Sequence, residues 1–186
     1  ISDETFTGAY IEKGKLLELL GRLNEAILNY EFALQTTESN AFIQNSIGRC
    51  HEKLGNNSVA EEFYFKSVEL EPTNENCWLS LIIFLVSQKK LKRAKLHLEK
   101  SLIINADSIE LWKKNVELCV ELEEEKEIFK SCQKLFNLGH YGSDVVIKII
   151  DFFLKKKKWR KAQTIAENAF SFCPNSRNLE IRIAGC

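Results

Sequence analysis

The sequence predicts an all-α protein built from stacked antiparallel helix pairs, and three observations carry that expectation. Only two prolines and eight glycines interrupt the 186 residues, too few for a β protein rich in tight turns. Apolar residues recur three and four apart in segments of about 14 residues, the spacing of an amphipathic helix. Most telling, the sequence repeats. Cut every 34 residues from Thr7, it falls without insertion or deletion into five blocks, 7–40, 41–74, 75–108, 109–142 and 143–176. A fixed period of this length marks an array of like supersecondary units.

Each block reads as two helices joined by a polar or glycine-bearing break. Block one places Gly14 in its first segment, breaks at LGRLN, and sets Ala26, Tyr30 and Ala33 in its second. Block two repeats this with Gly48, LGNNS, Ala60, Tyr64, Ser67 and Pro72. Block three replaces the glycine with Ile82 and carries Ala94, Leu98 and Ser101. Block four departs furthest, with Val116, Ile128, Cys132, Leu135 and His140 in the same columns, so its packing angle is the least determined. Block five returns to Ala162, Ala166, Ala169 and Pro174, with Ile150 at the glycine position. A small residue flanked by larger ones lets two helices approach closely, and a bulkier residue one turn later fills the groove beside it. No single pair buries both of its faces, so stacked neighbours must do so.

These columns resemble the tetratricopeptide repeat (TPR) family. Block two matches best, IGRCHEKLGNNSVAEEFYFKSVELEPTN holding Gly48, Gly55, Ala60, Tyr64 and Pro72 at the family's places, and the likeness runs over residues 7–176. The resemblance implies a right-handed superhelical solenoid of antiparallel helix pairs. Residues 1–6 are then an N-terminal flank, and RNLEIRIAGC, 177–186, begins a capping helix or a sixth repeat. The chain opens on Ile1 rather than methionine, as expected of a fragment or processed chain from a longer array.

One stretch invites another interpretation. CWLSLIIFLVSQKK, 77–90, holds nine apolar residues in a run of ten. A membrane-spanning helix needs about 20, so it is expected to be a helix meeting protein on every face. No other apolar stretch is longer and no signal peptide opens the chain, so a soluble protein of the cytoplasm, or of the nucleus, is expected. The 26 basic and 26 acidic residues balance, which gives no global attraction to nucleic acid or anionic membrane. Six cysteines, Cys50, Cys77, Cys119, Cys132, Cys173 and Cys186, form no CxxC pair and are expected to be reduced and mostly buried.

The sequence offers little to catalysis. His51 shares a column with Leu17, Leu85, Cys119 and Phe153, so it is expected at the core edge. Neither His97 nor His140 has a carboxylate or cysteine at ligand spacing. Cys119 and Cys132 occupy facing columns and are expected to be small core residues rather than a metal or redox site. No phosphate loop, nucleotide fingerprint or nucleophile elbow appears. The expectation is no enzymatic activity, no cofactor and no metal.

Charge is organised along the turns. Lys89, Lys90, Lys92, Arg93 and Lys95 stand at the turn of block three, Glu121, Glu123, Glu124, Glu125 and Glu127 at that of block four, and Lys155 to Lys158 with Arg160 and Lys161 at that of block five. Packed helices lie about 8–10 Å apart, comparable to the screening length, so the plus, minus, plus order is expected to be mutually attractive. The last basic cluster, with no acidic neighbour beyond it, could also meet an acidic partner.

The resemblance places partner binding on the concave face lined by the first helices. It assigns there Ile11 and Lys15; Phe42, Asn45 and Arg49; Asn76, Leu79, Ile83 and Val86; Lys113, Glu117 and Val120; and Ile147, Asp151 and Leu154. In block three Trp78, Leu81, Ile82 and Leu85 satisfy the core columns, leaving Leu79, Ile83 and Val86 as surplus. Exposed apolar patches mark interfaces, so either later parts of the same protein or a partner's peptide or helix covers them. The family's carboxylate clamp for chaperone tails is missing, since Ile11, Lys15, Ser46, Asn76 and Ser80 stand at its places. The expected role is a protein-protein interaction scaffold, part of a longer array in a multiprotein assembly. Self-association, or service as the regulatory array of an enzyme whose catalytic domain lies elsewhere, are the alternatives.

Overall fold

The computed structural model describes residues 3–37, 40–140 and 143–172, in two compact units divided between Ile104 and Asn105. Among the described residues there are ten helices and no strand. Unit 1 holds α1 (Asp3–Leu19), α2 (Leu23–Thr36), α3 (Ala41–Lys53), α4 (Asn57–Leu70), α5 (Glu75–Ser87) and α6 (Leu91–Ile104). Unit 2 holds α7 (Ile109–Glu121), α8 (Glu125–Asn137), α9 (Ser143–Lys155) and α10 (Trp159–Phe172). In both units each odd-numbered helix packs on the even-numbered helix that follows it. The second helices begin at Leu23, Asn57, Leu91, Glu125 and Trp159, a constant interval of 34 residues. The further helix expected over 177–186 lies outside the described residues.

The hairpin turns explain how one register survives varied sequence. Gly21, Gly55, Lys89, Glu123 and Lys157 all have left-handed backbone, with φ between 58° and 79°. Around Lys89, its N–H donates to the Val86 carbonyl and that of Lys90 to Leu85. Glu123 and Glu124 do the same to Val120 and Cys119. This is the paired closure of a Schellman motif, which satisfies carbonyls that the helix end leaves open. Glycine enters that conformation freely, whereas a side chain there costs about 1 kcal/mol. The first helices start on side-chain caps. Asn40 Oδ1 accepts from the Ile43 N–H, Asn74 Oδ1 from Asn76 and Ser108 Oγ from Leu111, each at 3.1 Å, which satisfies amide donors that the first turn leaves unpaired.

Within each hairpin the core is settled by an exchange of sizes. A Cβ on Gly14 would stand 2.6 Å from the Tyr30 ring, and one on Gly48 would stand 3.0 Å from Tyr64. Both tyrosines are buried and occupy the space the glycines leave. Where the glycine column becomes Ile82, Val116 and Ile150, the tyrosine column shrinks to Leu98, Cys132 and Ala166, all buried. The volume moves from one helix to the other while interior packing density is kept. Trp78 and Trp112 pin the turns between hairpins, their Nε1–H groups donating to the Pro72 and Ala106 carbonyls at 2.7 and 2.8 Å. Cys50, Cys77, Cys119 and Cys132 are buried and reduced, while Cys173 and Cys186 lie outside the described residues.

Candidate functional site

In unit 1 the apolar α5 divides as its sequence pattern requires. Cys77, Trp78, Leu81, Ile82, Phe84 and Leu85 are buried. Ile83 is left 50% exposed, with Leu79 and Val86 half-buried on the same side and Asn76 exposed at the helix start. On α3, Phe42 is exposed with the Lys15 ammonium 4.8 Å from its ring centre. The first-helix side of unit 1 therefore presents aromatic and aliphatic surface.

Two polar residues expected on this face are occupied by the fold itself. Asn45 is buried, and its Nδ2 donates to Ser80 Oγ at 3.1 Å, tying α3 to α5. Its Oδ1 is buried without a hydrogen-bond partner among the described residues. Arg49 donates through Nε and Nη2 to both Glu18 oxygens at 3.1 and 3.0 Å, and also reaches Ser46 Oγ. Lys53 adds a third contact to Glu18 at 2.9 Å, and the Tyr30 hydroxyl lies 3.4 Å away. Burial pushes the Glu18 carboxyl up, but hydrogen bonds and charge from Arg49 and Lys53 outweigh it and hold the group below the usual carboxylate range. Sequence spacing gives no sign of this clasp, because Glu18 lies 31 residues from Arg49.

In unit 2 the structure gathers part of the expected set into a cleft of about 680 Å³ between α7 and α9. Glu117 and Asp151 line it with Val120, Phe152, Lys148 and Lys155. Glu117 is bridged by Lys114 at 2.7 Å and by Lys148 of α9 at 2.5 Å. Burial raises the pKa of this carboxyl, but the two lysines prevail and lower it. Lys113 turns to Glu110 at 2.8 Å, and Ile147 is half-buried beside the cleft residues of α9. The cleft thus combines the apolar side chains of Val120 and Phe152 with charges of both signs.

The charged turns pair with a consistent polarity. In unit 2, Glu123 meets Lys156 at 2.5 Å, and Glu125 holds both Lys158 and Lys161. Those two lysines draw the Glu125 carboxyl down to about 2. The basic turn of block three pairs backwards, with the second hairpin: Lys90 and Arg93 both clasp Glu61 of α4, at 2.5 and 2.6 Å. Glu18, Glu61, Glu117, Glu123 and Glu125 each take at least one cation from the hairpin that follows their own. The histidines sit in packing positions. His51 stacks on Phe63, and His97 lies edge-on to Phe65 and beside Trp78. Burial pushes the His97 pKa down.

Helical hairpins in a 34-residue register, with Gly-Tyr packing and capped first helices, define a tetratricopeptide repeat protein. Solved structures share this fold. YrrB, described as a TPR protein with an unusual peptide-binding site, is 18% identical over 91% of this chain and 88% of its own, with a TM-score of 0.66. A tetratricopeptide repeat protein from Parabacteroides merdae is 14% identical over 97% and 72%, with a TM-score of 0.74. MamA from Desulfovibrio magneticus RS-1 is 14% identical over 95% and 98%, with a TM-score of 0.71. At such identities the likeness is one of fold. No curated protein matches the sequence. The family model for anaphase promoting complex subunit 8 / Cdc23 matches residues 8–138, and the chain belongs to that family.

Proposed function

We propose that the chain is a non-enzymatic scaffold that binds an apolar-anchored peptide or helix of another protein on its first-helix face within a multiprotein assembly, in the cytoplasm or nucleus. The carrying observation is Ile83, half exposed in the middle of an otherwise buried apolar helix, with Leu79 and Val86 beside it. An apolar cluster gathered on one helix face is the kind of surface that marks an interface. The family's name, a subunit of the anaphase promoting complex, supports the assembly part of the reading, and the peptide-binding site ascribed to YrrB supports the mode.

Ile83→Glu tests it. The exposed position predicts a stability change within about 1 kcal/mol, whereas capture of other subunits of that complex falls by about tenfold or more. A folded variant that captures them as well as the parent refutes the proposal, as does a chain that captures none. Leu79→Ser supplies a milder change should the glutamate unfold the protein. A second reading, self-association, is favoured by the exposed apolar residues Phe6, Leu16 and Leu19 of α1. Sedimentation over a range of concentrations decides it, a monomer throughout being incompatible with that role.

A further inference from the structure

The turn joining α9 to α10 breaks the polarity of the ion-pair ladder. In the hairpin before it, Glu123 and Glu125 offer carboxylates forward to Lys156, Lys158 and Lys161. One period of 34 later, the same two positions are Lys157 and Trp159. Lys157 is exposed on left-handed backbone at φ 58°, Trp159 is 51% exposed at the first position of α10, and Arg160 beside it is exposed. Among the described residues neither Lys157 nor Arg160 has a salt-bridge partner, although Lys156, Lys158 and Lys161 around them are all neutralised.

We propose that Lys157, Trp159 and Arg160 form a second docking surface, separate from the first-helix face, for an acidic protein segment carrying an apolar side chain. Carboxylates of the segment meet Lys157 and Arg160, and its apolar side chain covers the exposed indole, which combines a large apolar face with a polar edge. Charge complementarity selects the occupant. Two unpaired cations and one ring fit a short acidic stretch, whereas a long polyanion or a flat anionic surface calls for a longer run of unpaired cations than this corner holds.

The test is a titration of the chain with a labelled aspartate-rich peptide bearing one central phenylalanine, followed by Trp fluorescence and anisotropy at several salt concentrations. Binding is expected, weakening as salt rises, and K157E/R160E is expected to weaken it by about tenfold. Trp159→Phe removes the fluorescence response of the ring and identifies which tryptophan reports. Should K157E/R160E lose the fold, K157Q/R160Q takes its place, and the salt dependence of the parent is an independent readout. No binding, salt-independent binding, or equal binding by the folded variant overturns the proposal. So does tighter binding of a single-stranded oligonucleotide or of phosphatidylserine vesicles than of the peptide.

Discussion

Gly48 and Tyr64 form one packing unit, and the pair shows what a single residue can and cannot reveal. A Cβ on Gly48 would enter the 3.0 Å shell of the tyrosine ring, and overpacking of this kind costs about 1–3 kcal/mol. Gly48→Val is therefore expected to lower stability by that amount in urea unfolding. Adding Tyr64→Cys recreates the Val116 and Cys132 combination of the fourth hairpin. The two changes together are expected to cost at least about 1 kcal/mol less than their sum, because contacting residues couple. Additivity would refute the exchange of sizes. The two columns are visible in the sequence, each a list of residues 34 apart. Their reciprocity is not, because a column does not name the column it faces. The same limit applies to the interaction face. Asn45 and Arg49 stand at inward positions by register, yet their engagement with Ser80 and Glu18 depends on residues of neighbouring hairpins.

At the scale of the element, α1 and α3 are held together by one carboxylate. Glu18 receives Arg49, Lys53 and the Tyr30 hydroxyl. Between the exposed and buried limits for ion pairs, Glu18→Gln is expected to cost about 1–3 kcal/mol at neutral pH. The sign of the pH dependence follows from its lowered pKa. A carboxyl depressed in the folded state stabilises above its unfolded pKa, and that stability is lost as pH falls through the folded value. Stability should therefore decline below about pH 4.5, and Glu18→Gln should flatten the decline as well as lower the plateau. Denaturant midpoints between neutral and acid pH, parent against variant, measure both. Parallel curves would show that another group governs the acid limb. The helices themselves are legible from apolar spacing, because packing of a 3.6-residue stripe is a local demand. Of their clasps, the runs of like charge at successive turns announce those of Glu123 and Glu125 on the lysines of the fifth hairpin, whereas a lone glutamate such as Glu18 leaves no such trace.

The whole chain carries no net charge, with 26 basic and 26 acidic residues, so it has no global repulsion for salt to relieve. What salt can reach are the ion pairs between successive hairpins within each unit. About 1 M sodium chloride cuts the screening length to about 3 Å. The partly exposed pairs of Glu61, Glu117, Glu123 and Glu125 then weaken, and at about 2–4 °C per kcal/mol the melting midpoint should drop by several degrees. An unchanged or raised midpoint would show that the ladder contributes nothing to stability. Fold class was readable at this scale because a period is a property of the entire string. The turns hid one thing, the left-handed backbone at Lys89, Glu123 and Lys157, since lysine and glutamate are not turn signals. That backbone position has a further meaning. Its geometry is fixed by hydrogen bonds on either side, so the identity of its side chain is nearly independent of helix packing. It works as an address label on each hairpin: blank at Gly21 and Gly55, acidic at Glu123, basic at Lys89 and Lys157. The charge at that one position of each turn can therefore change from hairpin to hairpin while every core contact stays as it was.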